Sequence, residues 1–226
     1  MLPRTLEPEV MDTEEDASEY DLMNHEEVNR RFVADWGAAC QQIGMALDRP
    51  LLMLDVGTGT ARIPIALCQR YSHVTITAID LADEMLKLAR INIARAELSS
   101  RITLQRVDGK QLPFSDGAFD SVVTNTILHH IPEPLVCLRE MVRVLAPGGL
   151  LFVRDLMRPE SDSAVESLVN LHTQGATPSQ RQLFRQSLHA SLTLGEVRDM
   201  LEELRLPTDW VQATSDRHWT LCGRTG

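Results

Sequence analysis

Positive charge is in short supply in this sequence: 22 Lys and Arg stand against 32 Asp and Glu, a formal charge of -10. The long-range field therefore repels phosphate backbones and anionic membranes, which counts against nucleic acid as a partner. Cysteine is scarce too. Cys40, Cys68, Cys137 and Cys222 show no C-x-x-C spacing and sit among apolar neighbours, as small buried hydrophobes do. They read as reduced thiols, which fits a cytoplasmic protein. No run approaches the roughly 18 apolar residues of a membrane span, and the N-terminus lacks a basic stretch followed by an apolar core. There is no internal repeat and no low-complexity segment. What is present, 43% apolar and 24% charged residues over 226 positions, describes one globular core with extensions.

The first thirty residues are acid-rich and poor in aliphatics, and Pro3 and Pro8 discourage early structure. In EYDLMNHEEVNRRFVADWGAAC, however, Leu22, Val28, Phe32, Val33 and Trp36 recur at near-helical spacing, which predicts a helix lying on the main body and makes residues 20–47 a candidate lid. From Leu51 strands and helices alternate. LLMLDV, VTITAID, RITLQRVD, FDSVVTNTIL and LLFVRDL read as strands; ARIPIALCQRY, DEMLKLARINIARAEL and EPLVCLREMVRVL read as helices, the last stopped by APGG. This order implies parallel strands joined by right-handed crossovers with helices on both faces, an open doubly wound α/β sheet. Beyond Asp155 come helical stretches, one with a Thr193-x-x-Glu196 capping box, and then TDWVQATS and RHWTLCG, which read as a closing hairpin.

In such sheets ligands bind beyond the carboxyl ends of the strands, where the winding reverses. Gly57 and Gly59 allow a tight turn there and a close approach of ligand to backbone. The dinucleotide fingerprint needs a third glycine where this chain has Arg62, and Asp55 would repel a pyrophosphate, so a nicotinamide dehydrogenase is disfavoured. An acid at that point suits a cationic group instead, an ammonium or a sulfonium. Asp80 ends the second strand, the position from which a carboxylate accepts ribose hydroxyls. Asp108 ends the third, where it can accept from an exocyclic amine, while Leu81 and Met85 are placed to pack on a flat ring. A single strand-end Asp is usually a turn former; three in register point to one ligand.

The set DVGTGTARIPIAL, AIDLADEML, VDGKQLPFSDGAFDSVV, NTILHHIPEP and LAPGGLLFVRDL, over roughly residues 50–156, resembles the class I S-adenosylmethionine-dependent methyltransferases, particularly the small-molecule group that includes quinone-biosynthesis enzymes. The resemblance implies a Rossmann-like seven-stranded sheet whose last strand is antiparallel. It implies S-adenosylmethionine as cofactor, with Asp55 and the Gly57-Thr58-Gly59 backbone at its methionine end, Asp80 at the ribose, and Asp108 with Gly109 at the adenine. Asn125 would offer its backbone carbonyl near the methionine amine, and Tyr20 resembles an N-terminal lid tyrosine, or else anchors the first helix in the core. Thr60 departs from the pattern, since many relatives have glycine there. On this reading the chain divides into an acidic segment with a lid helix at 1–47, a cofactor-binding core at 48–157, a helical cap at 158–206 and a hairpin completing the sheet at 207–226.

Methyl transfer from a sulfonium needs mainly an aligned nucleophile, with a base where the acceptor must lose a proton. His129 and His130 follow the fourth strand, near the methyl group in this fold; one of them is a candidate base, or the pair merely orients the loop. No metal is expected, because neighbouring residues tend to point apart and no third ligand follows at a suitable spacing. Asp155 is either a substrate contact or an ordinary strand-end acid. His25, His73, His172 and His189 read as surface or satisfied helix residues, and His218 and Trp219 as packing residues. Met157, Leu168, Leu171, Leu183 and Phe184 are candidates to line the cap. The fourth strand lacks the D/N-P-P-Y/F loop of enzymes that methylate base or glutamine nitrogens. The expected acceptor is a small, partly apolar metabolite; the alternative is an inactive binder of S-adenosylmethionine or S-adenosylhomocysteine serving as a partner subunit. Oligomeric state leaves no mark on the sequence.

Overall fold

The computed structural model describes residues 2–10, 12–22 and 26–226; His25 lies outside the described residues. Seven strands form one sheet in the order β3-β2-β1-β4-β5-β7-β6: β1 Leu51–Val56, β2 Val74–Asp80, β3 Ile102–Arg106, β4 Phe119–Asn125, β5 Leu145–Leu156, β6 Val211–Ala213 and β7 His218–Arg224. β1 pairs in parallel with β2 and β4, β2 in parallel with β3, and β6 antiparallel with β7. The sheet is thus the expected doubly wound one with its antiparallel closing strand. Helices are α1 Glu14–Leu22, α2 Glu26–Gln42, α3 Arg62–Arg70, α4 Asp83–Arg95, α5 Pro134–Val144, α6 Asp162–His172, α7 Pro178–Ala190 and α8 Leu194–Glu203.

The chain packs as two compact units. One comprises Val10–Asn125, Val136–Phe152 and Cys222–Gly226. Its core follows from sequence period: β1 is buried at five of six positions, as a strand covered on both faces must be. Helix α2 inserts Phe32, Val33, Trp36 and Cys40, one face at helical spacing, against Met53, Ile76 and Phe152. The Phe32 and Phe152 rings meet edge to face at 5.1 Å. Trp36 Nε1 donates to Ser121 Oγ at 3.1 Å, and that hydroxyl donates to Leu150 O, so the buried polar tip is satisfied. Gly37 leaves room for Tyr71 in this packing: a Cβ there would sit 1.9 Å from the Tyr71 hydroxyl and force that ring to shift.

Of the stretch read as one helix, the described residues on either side of 23–25 are helical, as α1 and α2, and residues 23–25 lie outside the described residues. APGG was expected to stop the helix, and α5 does end at Val144; the strand read as LLFVRDL starts earlier, at Leu145, with Gly148 taking φ +76° while its N–H bonds Thr225 O.

The other unit comprises Met1–Glu9, Thr126–Leu135 and Val153–Leu221. Its helices carry the caps that the sequence encodes: Thr193 accepts from Glu196 N while the Glu196 side chain accepts from Thr193 N, and Thr177 with Gln180 repeats the device on α7. Leu156, Val165, Val169 and Leu188 form its apolar centre, with Leu168 and Phe184 packed against them. These two cap residues are therefore core, whereas Leu171 is 57% exposed.

Candidate functional site

The turn after β1 is built by conformations that only a few residues adopt cheaply. Gly57 and Gly59 take φ of +72° and +54°, followed by Ala61 at +63° as the N-cap of α3. The N–H groups of Gly57 and Thr58 both donate to Ile79 O, at 2.9 and 2.8 Å, which pins the turn to the end of β2. Asp80 pins it again: one carboxylate oxygen accepts from Gly59 N at 2.7 Å and the other from Ala82 N at 2.9 Å. The Leu81 backbone also bonds this carboxylate, and with about four lone-pair sites it still has room for a ligand hydroxyl.

Register places the three acids at neighbouring strand ends. Asp55 pairs with Ala78 two positions before Asp80, Asp80 pairs with Arg106, and Asp108 follows two residues later. Asp55 is 2% exposed, and burial, partly offset by a hydrogen bond from Thr58 and reinforced by the Asp80 charge, pushes its pKa up to about 7. Asp80 is likewise raised by burial. Asp108 is more open; its Oδ1 accepts from Lys110 N at 2.9 Å and lies 3.1 Å from Lys110 Nζ.

Tyr20, from α1, closes over the turn: a Cβ on Gly59 would lie 3.6 Å from its ring. Burial, Asp80 and Asp55 push the phenol up to about 12. Tyr20, Asp55, Gly57, Thr58 and Asn125 line one narrow cavity of about 30 Å³, together with Asn29 and Arg62. Arg62 grips Asp21 through two hydrogen bonds of 2.9 and 2.7 Å, tying α1 to α3. This is the use of the side chain that replaces the third glycine. Thr60, the other departure, is buried, and its carbonyl accepts from Asn92 Nδ2. Met85 packs with Ala17, Ala82 and Tyr20 beneath α1. Gly109 is held where a Cβ would meet Val56 Cγ1 at 3.0 Å and Cys137 Sγ at 3.1 Å.

His129 and His130 belong to the other unit. Asp155, expected at a rim or at a plain strand end, is 1% exposed and holds His129 twice, accepting from Nδ1 at 2.5 Å and from the backbone N at 3.1 Å. Glu7, which sequence reasoning passed over, brings Oε1 to 3.2 Å from His129 Nε2 and from His130 Nδ1. Arg4, also passed over, donates to the carbonyls of His129, Ile131 and Ala190 at 3.0, 2.9 and 2.7 Å. Burial lowers the His129 pKa, but the Asp155 charge and hydrogen bond, with Glu7, outweigh it and lift the ring to about 9. For His130 burial wins, aided by His129, and the pKa drops to about 4. The two rings do not diverge as expected of neighbours; their centroids are 4.2 Å apart and both face Glu7. His172 lies 2.5 Å from Asp216, and His218 bonds Ser215 with its pKa lowered by burial to about 4, so both are satisfied residues.

Residues 54–153 match the family model described as a methyltransferase domain. A demethylmenaquinone methyltransferase of Desulfitobacterium hafniense strain Y51 is 31% identical over 145 residues, 63% of this chain and 56% of that protein. One of Porphyromonas gingivalis is 32% identical over 151 residues, 64% and 59% of the two chains. The chain thus spans less than two thirds of the length of either relative. A solved structure from Methanococcus maripaludis, described as a candidate S-adenosyl-L-methionine-dependent methyltransferase, superposes with a TM-score of 0.72 at 19% identity, over 98% of this chain and 97% of that one. A likeness at that identity shows a shared fold. Among the described residues no helix is long and apolar enough to cross a membrane.

Proposed function

We propose that the chain, whose residues 54–153 match the methyltransferase-domain family model and which has the class I methyltransferase fold, transfers a methyl group from S-adenosylmethionine to a small, partly apolar metabolite. The observation that carries this reading is Asp55: a buried carboxylate whose charge is disfavoured until a cation arrives, set beside a left-handed glycine turn that brings backbone within reach of a ligand. The residues fit the cofactor. Asp55 and the backbone of Gly57, Thr58 and Gly59 take its cationic amino-acid end, with the carbonyl of Asn125. Asp80 uses its remaining lone pairs on the ribose hydroxyls, and Asp108 with Gly109, Leu81 and Met85 takes the adenine. The bound group supplies a methyl carbon already activated by sulfonium charge.

The cavity of about 30 Å³ beneath Tyr20 is about the size of one water, so α1, which carries that ring, is the candidate lid over the amino-acid end of the cofactor. Of the two histidines, His129 is held as an imidazolium and is no base at neutral pH. Burial keeps His130 neutral there, so of the two it is the candidate base for an acceptor that must lose a proton. The demethylmenaquinone enzymes among the relatives support an apolar ring as the first acceptor class to screen. Four free thiols support a cytoplasmic setting.

Calorimetry with S-adenosylmethionine and with NAD, followed by radiolabelled methyl transfer into metabolite extracts, tests this. Saturable binding of the first with label entering an organic-soluble product is expected. NAD binding without S-adenosylmethionine binding overturns the assignment, and tight cofactor binding without transfer to any extract supports an inactive partner subunit instead.

A further inference from the structure

We propose that Glu7, His129 and His130 form a binding site for one divalent transition-metal ion of the zinc class. The site goes beyond methyl transfer and does not depend on it. Glu7 Oε1 stands 3.2 Å from His129 Nε2 and 3.2 Å from His130 Nδ1, and one ligand atom from each residue lies within 4.8 Å of the others. Zinc bonds imidazole nitrogen and carboxylate oxygen at about 2.0–2.2 Å, so two ligands on a tetrahedral ion stand about 3.3 Å apart. Both edges match that spacing.

The second observation is chemical. Glu7 Oε1 and His130 Nδ1 are buried without a hydrogen-bond partner, the side chains being 8% and 15% exposed. Buried polar atoms are nearly always paired, and here two of them face a common point, which a cation satisfies at once.

The third is the support behind the ligands. Asp155 accepts from His129 Nδ1 at 2.5 Å, which directs Nε2 at Glu7, where a metal ion would displace the Nε2 proton of the imidazolium; a carboxylate on the far nitrogen is how metal-binding histidines are oriented. His129 and Asp155 side chains are 3% and 1% exposed, so neither has room to turn away. Two imidazoles and one carboxylate make a borderline donor set that suits zinc or iron(II) over magnesium or calcium. Three protein ligands leave a further position for a water or another oxygen donor.

The test uses the full chain after treatment with a chelator. Zn²⁺ is titrated calorimetrically, Co²⁺ by its visible absorption, and Mg²⁺ serves as the control. Expected are one equivalent of Zn²⁺, ligand-field bands from Co²⁺, no Mg²⁺ uptake and a raised Tm with Zn²⁺. Asp155→Asn should weaken Zn²⁺ binding about 10–100-fold, the cost of losing an orienting partner, and Glu7→Gln and His130→Ala should weaken it further. Absence of Zn²⁺ uptake by the parent chain overturns the proposal and leaves a proton on His129 as the group between the carboxylates. So does uptake unchanged in Glu7→Gln and His130→Ala variants that keep the parent circular dichroism. If either variant fails to fold, the Co²⁺ spectrum of the parent chain decides, a spectrum without nitrogen-ligated bands counting against the site.

Discussion

Asp55 couples stability and binding in opposite directions. Its folded pKa of about 7 lies above its ordinary value near 4, so between those limits the folded chain binds a proton that the unfolded chain has released. Stability from this group is therefore lost as pH rises from about 4 to about 7. A cationic ligand prefers the ionised form, so cofactor affinity should rise through about pH 7 and level off above it. Asp55→Asn should flatten that profile and weaken binding while raising the Tm of the ligand-free chain at neutral pH; calorimetry across pH 5.5–8.5 and thermal melts check both signs. For Asp80→Ala, loss of hydrogen bonds to a charged group should weaken S-adenosylmethionine binding by roughly 1.5–3 kcal/mol in the same assay. Unchanged affinity would place the ribose elsewhere. Both acids were readable in the sequence because each ends a strand of clear period. The pKa of Asp55 was not, since it depends on the layers folded over it.

Helix α2 shows what spacing conveys about an element and what it omits. Phe32, Val33 and Trp36 announce a buried face, and they form one. Trp36→Ala should cost about 3–5 kcal/mol, the range for emptying a large buried aromatic site, seen as a lower midpoint in denaturant. Trp36→Phe, which keeps most of the volume but strips Ser121 of its donor, should cost about 1 kcal/mol. The start of α1, ahead of Glu19, escaped notice because EEDASEYDL is mostly polar; contacts of Ala17 and Tyr20 with Ala82 and Met85 hold it, not its own pattern. Pro147 and Gly148 were read as the stop of the preceding helix, which does end at Val144. That the same residues already belong to β5 was not legible, because the bonds of Gly148 and Gly149 with Thr225 come from far along the chain.

Across the molecule, the unit that holds the histidines is drawn from three separated stretches of chain, and its charges set a second pH dependence. His129 has a folded pKa of about 9 against 6.5 when free, so its contribution is complete below about pH 6.5 and is lost as pH climbs through 9. The metal-free chain should lose on the order of 3 kcal/mol over that span, and His129→Gln should remove the slope; melts at pH 6.5 and 9.5 measure it. The alternation of strands and helices, the glycine turn and the strand-end acids were settled by local pattern, because hydrophobic period and turn chemistry act between near neighbours. Arg4 and Glu7, in a segment read as unstructured, carried no such pattern. Their place against His129 came from folding, because hydrogen bonding and desolvation depend on distance through space, and spacing along the chain does not encode it.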